Sequence, residues 1–238
     1  MIKRLNLLIS IPYFLFTILV IFSRIFKYPE LENLLRPTLM LLLILWYGFG
    51  SAMQKTKINW FFIVALVFAL LGDIFRMPLF DNFILGLVFF LFSHFVYSIL
   101  FLWESRGQII RNINDSWLFL LIVFLILVSV LISLLPPLII NNQAVFLVAL
   151  PTLIIALYLL VLSTNVYSSV NNTIYGRYVM LGGLFFIFSD SVLAINRFSL
   201  DVRLSSVWVL SSYVIAQWFL VYGYMNSKRD SGSDQLLA

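Results

Sequence analysis

Eight apolar runs follow one another along the chain, and each is 18 to 21 residues long. They cover residues 5–22, 36–53, 59–77, 83–103, 116–135, 144–163, 177–196 and 204–224. A helix needs about 20 apolar residues to cross the hydrocarbon layer of a bilayer. The pattern therefore predicts an all-α polytopic membrane protein with eight transmembrane helices.

Composition favours lipid over water as the surroundings. Hydrophobic residues make up 63% of the chain and charged residues 11%, compared with about 45–50% and about 25% in soluble domains. Eight spans of about 20 residues use about 160 of the 238 positions. We therefore expect a single membrane domain over residues 1–226, followed by a flexible C-terminal tail over residues 227–238.

The residue types limit the possible chemistry. The chain has no cysteine and a single histidine, His94, which excludes thiolate nucleophiles, iron–sulfur clusters and multi-histidine metal motifs. We expect no metal and no cofactor. The net charge of +5 comes from cations at span ends, not from the basic stripe of a nucleic-acid-binding protein. The expected partners are membrane lipids, and the uniform apolar surface leaves the oligomeric state open.

Cations in the connections suggest the orientation. Nine would share the side of the N-terminus: Lys3, Arg4, Lys55, Lys57, Arg106, Arg111, Arg177, Lys228 and Arg229. Six would lie on the other side: Arg24, Lys27, Arg36, Arg76, Arg197 and Arg203. Because cytoplasmic loops carry the excess of lysine and arginine, we expect both termini in the cytoplasm and the chain in the cell (inner) membrane.

The two halves of the chain look related. The third and fourth spans align by eye with the seventh and eighth, with Asp73 and Asp190 at matching places. His94 follows the first aspartate by 21 residues, and Ser211 follows the second by 21. This match favours two parallel repeats of four helices, although shared apolar composition also produces such matches.

Asp73 and Asp190 are the strongest functional signal. An aspartate within a span costs about 2.5–3.5 kcal/mol on insertion scales, so it needs a partner or a wet cavity. The two helices are the third and the seventh spans, so they run in the same direction and both aspartates lie near the same membrane face. A catalytic or transport role is the default interpretation, and the alternative is that each only caps a helix end or bonds a neighbour.

Other polar residues near the aspartates are candidates for binding substrate. His94 and Tyr97 are about one helical turn apart and share a face of the fourth span, although a histidine that bonds a carbonyl within the bundle would look the same. Near the membrane edge lie further candidates: Arg36, Arg76, Asn196 and Arg197. Guanidinium groups can hold a phosphate, but each could equally be a snorkelling anchor.

These segments resemble the YhhN family of lysoplasmalogenases. The family's marks are RP at Arg36, LLGDIF around Asp73, FILGLVFFLFSHFVYSILF around His94 and GGLFFIFSDSVLAINRF around Asp190. The resemblance extends over residues 36–219. Arg36 departs from the family, which usually has lysine before this proline. Arginine preserves the positive charge of this lysine, and the role of Arg36 stays open.

The resemblance implies an eight-span enzyme whose substrate is a lysophospholipid. It would hydrolyse the vinyl ether bond of lysoplasmalogens and release a fatty aldehyde with glycerophosphoethanolamine or glycerophosphocholine. Protonation of carbon gives an oxocarbenium ion, which water traps as a hemiacetal that collapses to the aldehyde. The reaction needs an acid, a base and water.

A pair of carboxyls can divide these roles. Burial and mutual repulsion keep one of them protonated, while the other activates water and stabilises the cation. We expect Asp73 and Asp190 to form this catalytic pair, without assigning acid and base. His94, Tyr97 and Asn196 would orient water and substrate, and the arginines would meet the phosphate.

Two other functions fit two intramembrane aspartates. A diaspartyl intramembrane protease also places two aspartates on neighbouring spans. Its marks are missing here, because the first site reads LLGD instead of GxGD, no YD pair occurs and no PAL segment follows Asp190. A lipid or ion transporter would use the aspartates as proton or cation sites, and an internal repeat would suit it.

Overall fold

The computed structural model describes residues 2–105, 108–140 and 144–234. Within these residues the secondary structure consists of nine helices and no strand. The helices are α1 (Ile2–Ile25), α2 (Pro29–Met53), α3 (Trp60–Phe75), α4 (Phe83–Glu104), α5 (Ile109–Asp115), α6 (Trp117–Ile140), α7 (Ala144–Asn171), α8 (Ile174–Phe198) and α9 (Ser205–Asp234).

The eight long helices match the eight predicted spans one to one, and the all-helical membrane fold is confirmed. Six of them are long and apolar enough to cross a membrane, namely α2, α4, α6, α7, α8 and α9, while the apolar parts of α1 and α3 are shorter. The remaining helix, α5, is a short helix of seven residues in the connection between the fourth and fifth spans.

Helix α3 has only 16 residues, so it is about 24 Å long at about 1.5 Å per residue. The hydrocarbon layer is about 30 Å thick. At least one end of α3 therefore stops short of the interface. The C-terminal end of α3 carries Asp73 and is followed by the turn 76–82. Charged groups at this end can therefore lie below the membrane surface.

Side chains at the helix starts explain several of these boundaries. Asn59 caps α3 by accepting from the backbone N–H of Phe61 at 3.0 Å, and Asn82 caps α4 by accepting from Leu85 at 3.0 Å. These side chains satisfy N–H groups that have no partner within the helix. The short Asn-containing connections are therefore local signals that the sequence itself carries.

The alternation of the long helices gives the bundle two ends. We call the distal face the end formed by the turns 26–28, 76–82 and 199–204. The terminal face is the opposite end, where α1 begins, α9 ends and the turn 54–59 lies. Which face is cytoplasmic stays a prediction, with the terminal face expected inside.

Two clusters of buried apolar side chains form the core. The larger cluster joins α1, α2, α3, α4, α7, α8 and α9, and the smaller joins α6 and α7 with residues of α4 and α8. Outward-facing residues of α6, such as Leu125 and Ile126, are 56% and 53% exposed. An apolar surface of this kind is what a lipid-facing helix presents.

Helix pairs α3–α4 and α8–α9 have the most extensive contacts in the bundle. These are the same two segments that the sequence match placed in equivalent positions of a repeat. The repeat itself stays a prediction.

Helix α9 continues beyond the expected domain boundary at residue 226 and ends at Asp234. Two contacts hold the start of this extension. The Ser227 and Tyr167 hydroxyls share a hydrogen bond of 2.5 Å, and Lys228 Nζ lies 2.8 Å from Glu104 Oε1. Much of the predicted tail is thus helical, while residues 235–238 lie outside the described residues.

Close packing of α8 and α9 gives a test of the fold. A Cβ at Gly223 would lie 2.7 Å from the backbone oxygen of Tyr175 and 2.9 Å from the backbone nitrogen of Val179. We expect Gly223→Ala to cost about 1–3 kcal/mol, because these backbone atoms must shift, and to lower the apparent melting temperature in detergent.

Gly48→Ala is the matched control, because a Cβ there meets nothing within 4 Å. Alanine is the better helix former, so this variant should melt at or above the wild-type temperature. Equal melting of the two variants would show that α8 and α9 are not packed as closely as described.

Candidate active site

Asp73 lies two residues before the end of α3 and is only 1% exposed. Each oxygen of its carboxyl group has its own donor. Arg36 Nε donates to Oδ1 at 3.0 Å, and the Tyr213 hydroxyl donates to Oδ2 at 2.8 Å. Arg36 lies on α2 and Tyr213 on α9, so three helices meet at this carboxylate.

The Arg36 guanidinium has further partners. Its Nη1 donates to the backbone oxygen of Arg76 at 3.3 Å and lies 3.5 Å from Glu32 Oε1. Arg24 Nη1 lies 3.3 Å from the same Glu32 oxygen. Neither contact to Glu32 has hydrogen-bond geometry, so both act mainly through charge. The result is a chain of alternating charges from Arg24 to Asp73.

Asp190, on α8, has a different environment. It is 7% exposed, and its Oδ2 has no hydrogen-bond partner among the described residues. The nearest ionisable contact is His94 Nε2 at 3.6 Å. Unlike Asp73, this carboxyl group has no hydrogen bond to a guanidinium of the described residues.

His94 is completely buried on α4. In the part of the chain that the structure describes, neither of its ring nitrogens has a hydrogen-bond partner. Its ring packs edge-on against Phe186, with centroids 4.9 Å apart. A buried imidazole without a bonded carbonyl is available to a water or a substrate beside Asp190.

Both aspartates line one cavity near the distal face. The free volume is about 10 Å³, about the space of one water molecule. Its lining residues are Arg24, Arg36, Asp73, Arg76, Phe90, Ser189, Asp190, Val209, Leu210 and Tyr213. The cavity is mostly polar at the α1–α3 side and apolar at Phe90 and the α9 residues Val209 and Leu210.

Four of the residues expected from the sequence line this cavity: Arg36, Asp73, Arg76 and Asp190. His94 lies behind Asp190 and is not among the lining residues. Tyr97 lies one turn further along α4, where its hydroxyl donates to Gln217 Oε1 at 3.0 Å. Arg36, which we considered for phosphate binding, is engaged by Asp73 and Glu32.

Asn196 and Arg197 lie outside the cavity lining. The Asn196 side chain accepts from the backbone N–H of Val202 at 3.0 Å, and so it holds the turn between α8 and α9. Arg197 is exposed, with its guanidinium 5.1 Å from the centre of the Phe83 ring. Their expected part in substrate binding stays a prediction.

Four polar residues of the site were not anticipated: Arg24, Glu32, Ser189 and Tyr213. Glu32 precedes Arg36 by four residues, a spacing that pairs charges on one face of a helix, so a local signal existed. Tyr213 had none, because nothing in the sequence of α9 indicates that this tyrosine meets Asp73 of α3.

The fold and the site define an integral membrane protein with a buried, charged cavity between its helices. Comparison with sequence models of known families shows to which family the chain belongs. Residues 31–224 match the model of the YhhN family, and the chain belongs to this family, which includes lysoplasmalogenases. Searches of curated proteins and of solved structures found no match. The family resemblance seen in the sequence is thereby confirmed.

The buried ion pair gives a test of the site. Arg36→Gln leaves Asp73 without its cation, and loss of one partner of a buried pair costs about 3–5 kcal/mol. We expect a lower apparent melting temperature in detergent. The double variant Arg36→Gln/Asp73→Asn should recover part of the loss, since asparagine carries no charge and still accepts from Tyr213.

Arg203→Gln is the control, because Arg203 is exposed on the same face and has no ion pair within the described part of the chain. It should melt like the wild type. If Arg36→Gln also melts like the wild type, or the double variant recovers nothing, the pair does not contribute as described.

Proposed function

We propose that this protein is a lysoplasmalogenase-like hydrolase. It cleaves the vinyl ether bond of lysoplasmenylethanolamine or lysoplasmenylcholine to a fatty aldehyde and the glycerophosphodiester. The observation that supports this most is that Asp73 and Asp190, from distant parts of the chain, line a single buried cavity. Vinyl ether hydrolysis needs an acid next to a group that stabilises positive charge, and two carboxyls can supply both.

The unequal surroundings of the two carboxyls suggest their roles. Asp73 receives donors from Arg36 and Tyr213, and such charge-assisted bonds favour an ionised carboxylate. Asp190 Oδ2 has no such partner among the described residues, and a buried carboxylate without donors is costly. We therefore assign Asp190 as the neutral acid and Asp73 as the permanent carboxylate.

The reaction then proceeds in three steps. Asp190 gives its proton to the alkenyl carbon that is not bonded to oxygen, and the positive charge develops on the carbon–oxygen unit. Asp73 stabilises this oxocarbenium ion through its negative charge. Water adds to the carbon that carries the ether oxygen and returns a proton to Asp190, which is thereby restored. The hemiacetal finally collapses to the aldehyde and the free glycerol hydroxyl.

The position of the cavity suits a lipid with a charged headgroup. Arg24 and Arg76 lie beside the aspartates near the distal face, where the phosphate of a bilayer lipid would be. The Arg76 guanidinium lies 5.8 Å from the centres of the Phe83 and Phe90 rings, which would hold it in place. Since the free volume is about that of one water molecule, the surrounding helices must separate to admit the vinyl ether.

Substitution of either aspartate tests the assignment. Asp190→Asn removes the proton donor and Asp73→Asn removes the stabilising charge, so each should lower aldehyde release by at least about 100-fold, as losses of acid–base groups do. The measurement is aldehyde formed from a lysoplasmalogen by purified protein in detergent, with melting temperatures to confirm folding.

Asp201→Asn is the matched control, because Asp201 is exposed in a turn of the same face. It should keep wild-type turnover. Near-normal turnover in both site variants would reject the aspartate pair. Tight lipid binding by the wild type without any aldehyde would instead favour a transporter, because detergent solution contains no membrane gradient.

The fate of the proton gives a second test. Because the acid protonates carbon, hydrolysis in D₂O should place one deuterium on the aldehyde carbon next to the carbonyl. The rate should also fall about two- to threefold or more in D₂O if this transfer limits turnover. Mass spectrometry of the aldehyde, trapped at once as a hydrazone, measures the incorporation. An aldehyde without deuterium would rule out the proposed protonation.

A further inference from the structure

A second polar region lies at the terminal face, at the end of the bundle opposite the aspartates. A groove of about 640 Å³ lies between the α2–α3 turn and the end of α9. Three of its lining residues are lysines: Lys55, Lys57 and Lys228. The groove also contains Trp60, which is 70% exposed.

Charge in this groove is not balanced. Lys228 is neutralised by Glu104, whose Oε1 also accepts from the Tyr224 hydroxyl at 2.6 Å. Lys55 and Lys57 are exposed and have no ion pair within the described residues. Since no acidic residue is among the described residues that line the groove, two positive charges remain for an anion.

The turn that carries these lysines is fixed by backbone hydrogen bonds. Lys55 N donates to Ala52 O at 3.1 Å, and Thr56 N donates to Ser51 O at 3.0 Å. Lys55 adopts the left-handed conformation, with a φ of 54°. The backbone position of Lys55 is therefore set before any ligand arrives.

An apolar groove of about 320 Å³ adjoins the basic one, because Asn59 and Phe61 line both. Its other lining residues are Ile99, Leu100, Trp103 and Glu104, the last of which pairs with Lys228. Phe61 and Trp103 are 52% and 56% exposed, on the surface that faces lipid. A basic site that opens into an apolar groove along the helices matches the two chemical parts of a phospholipid.

We propose that these grooves bind one anionic phospholipid of the bilayer, with its phosphate at Lys55 and Lys57 and an acyl chain along Phe61 and Trp103. Lysine near the membrane surface attracts negatively charged headgroups, and exposed aromatic side chains lie at the interface. This site is separate from the aspartate cavity and does not depend on the reaction proposed there.

Native mass spectrometry of the purified protein tests the proposal. The probes are phosphatidylglycerol and phosphatidylcholine with identical acyl chains, added separately in detergent. The wild type should retain one phosphatidylglycerol at concentrations where it does not retain phosphatidylcholine. The double variant Lys55→Gln/Lys57→Gln should bind phosphatidylglycerol on the order of tenfold more weakly. Lys228 is kept, because it pairs with Glu104.

Lys27→Gln is the matched control, since Lys27 is an exposed lysine in a left-handed turn position at the distal face. It should bind like the wild type.

Equal retention of the two lipids, or equal weakening by the control and the double variant, would overturn the proposal. So would full displacement of the lipid by millimolar inorganic phosphate, which would indicate a site for free phosphate. Unchanged melting of the double variant in lipid-free detergent confirms that the comparison concerns binding and not folding.

Discussion

The buried ion pair between Arg36 and Asp73 is the interaction on which the site depends. Removal of two charges from water is costly, and their attraction offsets this cost only when further hydrogen bonds satisfy both groups. Here the Tyr213 hydroxyl donates to the carboxylate, and the guanidinium donates to the backbone oxygen of Arg76. Glu32 adds a negative charge 3.5 Å from the guanidinium, without a hydrogen bond. These requirements tie α2, α3 and α9 together at a defined depth below the distal face.

The same interaction makes the two aspartates chemically different. Asp73 accepts hydrogen bonds from Arg36 and Tyr213, whereas Asp190 Oδ2 has no hydrogen-bond partner among the described residues and lies 3.6 Å from His94 Nε2. Two carboxyls with equal surroundings would compete for one proton, but unequal surroundings decide which one holds it. The asymmetry of the hydrogen bonds thus supports the proposed division between a proton donor and a charge-stabilising carboxylate.

The charged side chains of the described residues lie toward the two ends of the bundle, and the end near Asp73 differs in character from the end near Glu104. At the distal end, charged side chains form ion pairs beside a cavity of about one water molecule. At the terminal end, lysines are exposed beside an open groove. Buried ion pairs suit chemistry that must exclude bulk water, while exposed, unpaired lysines suit a ligand that arrives from the membrane surface.

The sequence by itself determined the eight membrane helices, the two aspartates and the family, because hydropathy and motifs are properties of contiguous residues. It also placed Arg36 and Arg76 near the aspartates, since helix direction fixes which ends share a face. Only the tertiary structure decided that Arg36 pairs with Asp73, that Tyr213 donates to it, and that Asn196 and Arg197 lie outside the cavity. The physical reason is that rotation and packing of helices far apart in the chain set these contacts, and no local pattern of residues encodes them.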